Sequence, residues 1–517
     1  MTPIDRGDIG PGTPDPEGHF EDETPQEEPD EHAAGLRELL SSSLVAGPDP
    51  DVVDEVLGAP EVTVDEAEAS ASRAEADSAV QQIYAQILAR APEHDVQPSL
   101  ERVEQVLELL GDPHRAYPVI HVAGTNGKTS TARVIERLLR EMGLRTGRFT
   151  SPHLTTVRER IAIDGEPISP EAFVATWTEV EPYVTLVDER SVAAGGPRLS
   201  FFEVFTVMAL AAFADAPVDV AVVEVGMGGR WDATNVVDGR IEVITSISRD
   251  HERWLGHSLP EIAAEKAGII TAASTVVSAE QDEEVTPVIA DASHALDARL
   301  LTEGTELAVL DRQIAVGGQM LTLRTPAATY TDVYLPLHGE HQARNALLGL
   351  VAVETFFGGG SLDAGVVEQA MASADSPGRL EVVRRSPRVL VDAAHNPAGV
   401  EALRAAVEEA FDLDRIVGVV GVMNDKDAET ILAGLEPLLA EVVITRAPTD
   451  RAHDVEDLAE IAREVFDPDR VHVAERLDEA VDLAVTLAEA DEDAAGAVLI
   501  TGSIVLVAQA RILLGHP

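Results

Sequence analysis

The sequence predicts an α/β protein built on parallel sheets, in two domains behind an acidic arm. Three observations predict it. Short apolar runs alternate with helical patterns along most of the chain and finish in polar, reactive residues. One such run opens into a glycine-bearing turn and an amphipathic helix, the layout of a phosphate cradle. A break at SADSPGRLEVV, residues 373–383, separates a larger first part from a smaller second one.

The arm comes first. Residues 1–80 hold 22 acidic residues against three arginines and are rich in Pro, Gly, Ser and Ala. Such a stretch buries too little apolar area to offset its ordering entropy, so it is expected to be disordered. The whole chain, 517 residues with a net charge of −54, is too long for one ordinary core. Its charge repels nucleic acid and anionic lipid, which excludes both as bulk partners. The absence of cysteine excludes disulfides and thiolate metal sites and fits a cytoplasmic protein. No apolar run reaches the roughly 18–20 residues that cross a bilayer, and the N-terminus lacks the basic and apolar parts of a secretory signal.

After the arm, SLERVEQVLELLGDP places Leu100, Val103, Val106, Leu107 and Leu110 on one helical face, and Gly111 and Pro113 stop it. YPVIHVAG reads as a buried strand. The helix behind it carries Ile135, Leu138, Leu139 and Met142 at helical spacing. Further strands are expected in VDVAVVEVGMGG, IEVITSISRDH, PRVLVDAAHNP, RIVGVVGVMNDKD and AVLITGS. Parallel strands that end this way place a ligand site at their C-terminal tips.

Lysine marks where that site lies. Of 38 basic residues only Lys128, Lys266 and Lys426 are lysines. Lys128 sits in AGTNGKTS, between the strand and its helix. Gly124 and Gly127 let the backbone turn and present N–H groups, and the helix N-terminus adds partial positive charge. A compact ammonium on a long stem serves β- and γ-phosphates better than arginine's rigid fork. Thr129 or Ser130 supplies a hydroxyl to Mg²⁺. The usual loop pattern, G-x-x-x-x-G-K-[ST], is met except that Val122 holds the first glycine's place. The plain alternative is a solvent lysine at a strand–helix turn.

GTNGKTS resembles the phosphate loop of the Mur-ligase superfamily, ATP-dependent enzymes that form amide bonds. TSPHL (150–154), SFFEV (200–204), EVGMGGRWDATN (224–235), RDH (249–251), EKAGII (265–270), HQARNA (341–346), GR (378–379) and DAAHNP (392–397) follow in order. Together they resemble the folylpolyglutamate synthase and dihydrofolate synthase family over residues 95–505. The resemblance implies a P-loop-type parallel-sheet ATPase domain over 81–374, a smaller Rossmann-like α/β domain over 378–517 and the arm, 1–80, outside the family core. It implies an acyl phosphate made from ATP and a folate or dihydropteroate carboxylate, attacked by the amine of L-glutamate, with two Mg²⁺ ions in attendance. One or both folate activities are implied; another Mur-type amino-acid ligase and a non-catalytic ATP switch are the alternatives.

Residue by residue, the resemblance implies nucleotide contacts from Thr125, Asn126, Gly127, Lys128, Thr129, Ser130, Asn345, Arg379 and Asp392, with Arg379 on phosphate and Asp392 on base or ribose. Ser151, Glu224 and His251 are the implied metal ligands, joined by Lys266 once its amine is carbamylated. The alternative for Lys266 is a surface ion pair with Glu265 or Glu261. Lys128, Lys266 and His395 are the implied catalytic residues, His395 on phosphate or intermediate, with helix capping the alternative role for Asn396. Ser200, Phe201, Phe202, Glu203, Trp231, Asp232 and Ala233 line the implied pterin site, against core packing for the aromatic rings. Lys426 is expected on a glutamate carboxylate or the acyl phosphate, or else in a local pair with Asp425 or Asp427. Thr129 stands where many relatives have glycine, and Arg249 and Arg253 where an apolar residue is usual. Reduced folate or dihydropteroate and L-glutamate are the expected partners of a monomer that uses neither nucleic acid nor membrane.

Overall fold

Helix Val64–Leu88 runs straight through the limit expected for the arm at residue 80. Val80, Ile83 and Ile87 recur at helical spacing and are buried, so the apolar face outlasts the acidic composition. The computed structural model describes residues 64–90, 99–490 and 495–516, and the arm as far as residue 63 lies outside them. The chain divides into Met1–Ser70 and Ala71–Pro517, and the sheets and helices described next all belong to the second unit.

Eight strands form the first sheet: β1 (Val119–Ala123), β2 (Thr146–Phe149), β3 (Ile161–Ile163), β4 (Glu166–Pro167), β5 (Val220–Glu224), β6 (Gly239–Ile244), β7 (Thr275–Ser278) and β8 (Arg299–Thr302), in the order β4-β3-β2-β5-β1-β6-β7-β8. β1 lies between β5 and β6, parallel to both, and every residue of VIHVA is buried. That is why its sequence is continuously apolar around one histidine rather than alternating. One face packs on helices Lys128–Glu141 and Glu340–Phe356, through Ile135, Leu138, Leu139, Leu347 and Val351. The other packs on helices Glu101–Leu109, Pro170–Ala193 and Phe201–Asp215.

The second large sheet holds β12 (Glu381–Arg385), β13 (Arg388–Val391), β14 (Arg415–Val420), β15 (Glu441–Ile444), β16 (Val471–Val473) and β17 (Gly496–Thr501). Its order is β12-β13-β17-β14-β15-β16, parallel except for the edge strand β12, with separate cores on its two faces. The break expected at 373–383 begins where helix Ala364–Ala372 ends and runs into the first residues of β12.

The expectation of parallel sheets is departed from at the edges, where β3, β4 and β12 pair antiparallel, and in one separate sheet. β9 (Ala308–Ala315), β10 (Gly318–Arg324) and β11 (Thr329–Leu335) make a three-stranded antiparallel sheet. Its signal was present: QIAVGGQMLTL places Gly317, at φ 75°, and Gly318 between alternating runs, a hairpin pattern.

Strand β6 also carries a carboxylate inward. Glu242 Oε1 accepts from Thr271 Oγ1 (2.8 Å), while Oε2 has no hydrogen-bond partner among the described residues. Burial pushes this carboxyl up to about 7. The folded state therefore holds the proton more tightly than the unfolded chain, whose value is about 4.3. Stability conferred below that value is lost as pH rises through about 7. Glu242→Gln should melt about 2–4 °C above wild type at pH 8 and at nearly the same temperature at pH 5. Calorimetric scans across that range check it, and parallel profiles would contradict it.

Candidate active site

Strand β1 ends at Ala123, and the chain turns through Gly124 (φ 146°) and Gly127 (φ 87°) into helix Lys128–Glu141. The turn is pinned to the exit of β6: Thr125 N donates to Ser246 O (2.9 Å), and Thr125 Oγ1 donates to Ser248 O (3.0 Å). A Cβ on Gly127 would stand 2.4 Å from Asn345 Oδ1, so this glycine is required by conformation and by space alike.

Lys128 folds back over the turn, its Nζ donating to Thr125 O (3.0 Å) and Gly124 O (3.2 Å). Lys266 Nζ donates to the same Gly124 O at 2.7 Å. The surface ion pair weighed for Lys266 does not form: the residue is 4% exposed, at the C-terminal end of helix Leu259–Lys266, and its amine turns inward. Burial and then the charge of Lys128 bring the Lys266 amine down to about 7. Burial also lowers Lys128, and Glu224 and Asp250 oppose that fall.

Glu224, at the tip of β5, accepts from Thr129 Oγ1 at 2.9 and 3.0 Å and from Ser151 N at 3.4 Å. Burial raises its pKa, with Lys128 the main opposing charge. The two hydroxyls of the loop therefore part company. Thr129 faces the carboxylate, and Ser130 stands 2.8 Å from Ser376 Oγ, in the segment that leads to β12. No three His, Asp or Glu side chains converge into a metal cage among the described residues. Glu224 beside the Thr129 hydroxyl is nonetheless an oxygen donor set that suits Mg²⁺, which takes few protein ligands and completes its shell with substrate phosphate and water. His251, in a left-handed turn at φ 52°, also lines the cleft, with its Nε2 3.8 Å from the Asp250 carboxylate.

Asp250 is the junction that sequence reasoning missed. Its carboxylate accepts from Lys426 Nζ (2.6 Å), Asn396 Nδ2 (3.2 Å) and His251 N (2.8 Å), with His395 Nε2 at 3.7 Å. Burial would raise this carboxyl, but His251, Lys426 and His395 together hold it well below the usual range. Lys426 thus pairs with neither Asp425, which bonds Arg451, nor Asp427, which caps helix Ala428–Leu435. His395 is lowered to about 4 by burial and by Lys426. Asn396 caps helix Pro397–Ala410 and also exchanges two hydrogen bonds with Asn126 of the phosphate turn (3.0 and 3.1 Å).

Several of the expected site residues also make bonds within the protein. Both Asp392 oxygens accept from backbone, Leu380 N and Ala394 N at 2.8 Å each, and the residue lines the cleft. Ser200 and Glu203 close a capping box on helix Phe201–Asp215, and Glu203 also binds Arg102 (2.8 Å). Asp232 accepts from Met227 N and Thr234 N. These carboxylates shape the turns they sit in. Phe201 is 3% exposed, with the Arg160 guanidinium 5.0 Å from its ring and Tyr84 edge-on at 6.1 Å. Phe202 leans on Phe149 at 5.6 Å.

The phosphate turn, Ser151, Glu224, Asp250, His251, Asp392 and Asn396 border one cleft of about 1920 Å³. Lys128, Lys266 and Lys426 line it, as do Asn345, Arg379, Phe202, Trp231, Ala233 and His395. Tyr84, His153, Trp254 and Arg451 also line it and were not singled out from the sequence. Among the described residues no helix is long and apolar enough to cross a membrane.

Comparison with known proteins bears on this geometry. Residues 122–353 match the Mur ligase middle domain, and residues 378–504 match the Mur ligase glutamate ligase domain. The dihydrofolate synthase/folylpolyglutamate synthase of Mycobacterium tuberculosis is 52% identical over 448 residues, covering 83% of this chain and 92% of that protein. A crystal structure of M. tuberculosis folylpolyglutamate synthase complexed with ADP and AMPPCP superposes with a TM-score of 0.82 at 50% identity, covering 86% of this chain and 99% of that one. The structure of Escherichia coli FolC in complex with DHPP and ADP superposes at 0.72 and 30% identity, covering 84% and 97%.

The close approach at Gly127 makes a test. Gly127→Ala should weaken binding of a non-hydrolysable ATP analogue by about 100-fold, because the loop must shift away from Asn345 and leave the left-handed region. Titration calorimetry measures this, and wild-type affinity in the variant would contradict it.

Proposed function

Because the chain belongs to the folylpolyglutamate and dihydrofolate synthases of the Mur-ligase family, we propose that it joins L-glutamate to a reduced folate or dihydropteroate at the cost of ATP. The observation that carries the reading is the gathering of all three lysines around one cleft in a chain of net charge −54. A cleft of about 1920 Å³ exceeds what one drug-sized ligand needs and suits a nucleotide and a second substrate together.

The reaction balances in two steps. A folate carboxylate oxygen attacks the γ-phosphorus of ATP, the bond to the β-phosphate oxygen breaks, and ADP leaves. The glutamate amine, having given one proton to solvent, attacks the acyl carbon. The C–O bond to phosphate breaks, phosphate departs with the electron pair, and the nitrogen sheds a second proton as the amide forms. Both steps bring anions together, so positioning and charge neutralisation carry most of the catalysis.

In this reading the backbone from Thr125 to Gly127 cradles the phosphates and Lys128 releases its carbonyl partners to grip the β- and γ-phosphates. Asn345 supports the loop from behind and Arg379 approaches from the far side of the cleft. Glu224, Thr129, Ser151 and His251 would hold Mg²⁺, which neutralises phosphate charge when bound. Lys266 is placed to be carbamylated, since a buried primary amine held near neutrality has a reactive free base. Phe201, Phe202, Trp231 and Ala233 border the pterin, with Tyr84 and Arg160 behind Phe201. Ser200, Glu203 and Asp232 shape that wall through their caps. His395 and Lys426 meet the phosphate and the incoming glutamate. We read residues 81–374 and 378–517 as two domains that close over these substrates.

The finer parts of the proposal are a monomer, since one chain lines the whole cleft, and a cytoplasmic enzyme without nucleic-acid partners, which a cysteine-free, strongly acidic composition suits.

ADP release should require glutamate and either dihydropteroate or tetrahydrofolate, and Lys128→Ala should lower kcat by about 10²–10³-fold. A coupled assay reads both. Activity on neither pterin removes the reading, and full activity in the variant removes the role given to Lys128.

A further inference from the structure

We propose that Asp250 receives the ammonium group of the incoming glutamate while Lys426 takes the carboxylate beside it. The inference rests on the ligase reading above and deepens it at a residue that reading leaves without a task.

Asp250 and Lys426 form an ion pair at 2.6 Å with side chains only 9% and 11% exposed. They come from different sheets: Asp250 follows β6, and Lys426 follows β14. A buried ion pair is weak evidence for stability, because desolvating both charges offsets their attraction. Its position on the wall of the cleft gives it another use. An α-amino acid carries a cation and an anion on neighbouring atoms, the mirror of this pair. Inserting that zwitterion between Asp250 and Lys426 replaces one internal ion pair by two and adds no net charge to the cleft. Few other arrangements accept a zwitterion at so low an electrostatic cost.

Four other carboxylates on the cleft are engaged differently. Glu224 is held by Thr129 and Ser151, Asp392 and Asp232 accept from backbone N–H groups, and Glu203 is bound to Arg102 and its cap. Asp250 is met by side chains that a ligand can replace without breaking a turn: Lys426 at 2.6 Å, Asn396 at 3.2 Å and the nearby His395 ring at 3.7 Å. Asn396 bonds Asn126 in the same geometry, so a single side-chain amide links Asp250 to the phosphate turn. An amine seated on Asp250 is thereby one residue removed from the loop that would carry the acyl phosphate.

The test separates binding of the amine from formation of the acyl phosphate. Hydroxylamine, largely uncharged at pH 8, needs no carboxylate to seat it and traps acyl phosphates directly. Asp250→Asn should lower kcat/KM for glutamate by about 100-fold, mainly through KM. ADP release driven by hydroxylamine should fall by no more than about threefold, and KM for ATP should hold. Glutarate, which keeps both carboxylates and lacks the ammonium, should inhibit the variant at least as well as it inhibits wild type. Unchanged glutamate kinetics would overturn the inference. So would a parallel loss with both nucleophiles, which would place Asp250 in phosphoryl transfer or in folding. Wild-type protein that releases no ADP with either nucleophile would overturn the ligase reading first, and this inference with it.

Discussion

Two ammonium groups on one carbonyl oxygen organise the rest of the site. Lys128 and Lys266 both donate to Gly124 O, one from the helix that leaves the turn and one from a helix more than a hundred residues later. Burial, and after it the like charge so close, raises the cost of both ammonium groups, and the fall of Lys266 to about 7 expresses it. The arrangement is stable only with anions at hand. Glu224 and Asp250 provide part of that charge within the protein, and the phosphates of ATP would provide more. A chain this acidic can concentrate positive charge in one cleft without attracting polyanions elsewhere on its surface.

Connections across the cleft follow from the same economy of charge. Asp250 binds Lys426 and Asn396, Asn126 exchanges bonds with Asn396, and Ser130 meets Ser376. Each of the first two contacts joins the β6 or β1 side to the sheet that begins at β12. Farther off, Arg312 on β9 makes a two-pronged pair with Glu409 on helix Pro397–Ala410, at 2.7 and 2.6 Å. The antiparallel sheet that carries Arg312 therefore serves as a brace between the two larger sheets, which gives an otherwise peripheral element a structural task.

The strands, the phosphate turn and the rare lysines were legible because each rests on a local signal. A buried parallel strand is apolar throughout, a tight turn into a helix needs glycine, and a lysine among arginines is visible by count. What stayed hidden depends on contacts between distant segments. Asp250 stood in the sequence as half of an Asp-His pair, and nothing in RDH announces a partner 176 residues away. Asp392, Ser200 and Glu203 fell in family blocks, yet their polar atoms satisfy backbone donors at turns and caps, an effect of chain geometry that composition does not reveal. The helix start at Val64 is masked by the acidic composition, which outweighs the Val80, Ile83, Ile87 spacing. The hairpin at Gly317 and Gly318 is a short signal inside a chain whose surrounding pattern is βα repeats.

The central claim is that compact primary amines, and not positive charge alone, run this cleft. Lys128, Lys266 and Lys426 can each be replaced by arginine, which keeps the charge and changes its shape and chemistry. Glutamate-dependent ADP release by the three single variants is the direct measurement. The account predicts that each loses about 10-fold or more, with Lys266→Arg the lowest because a guanidinium does not form a carbamate. Wild-type turnover in all three would contradict it.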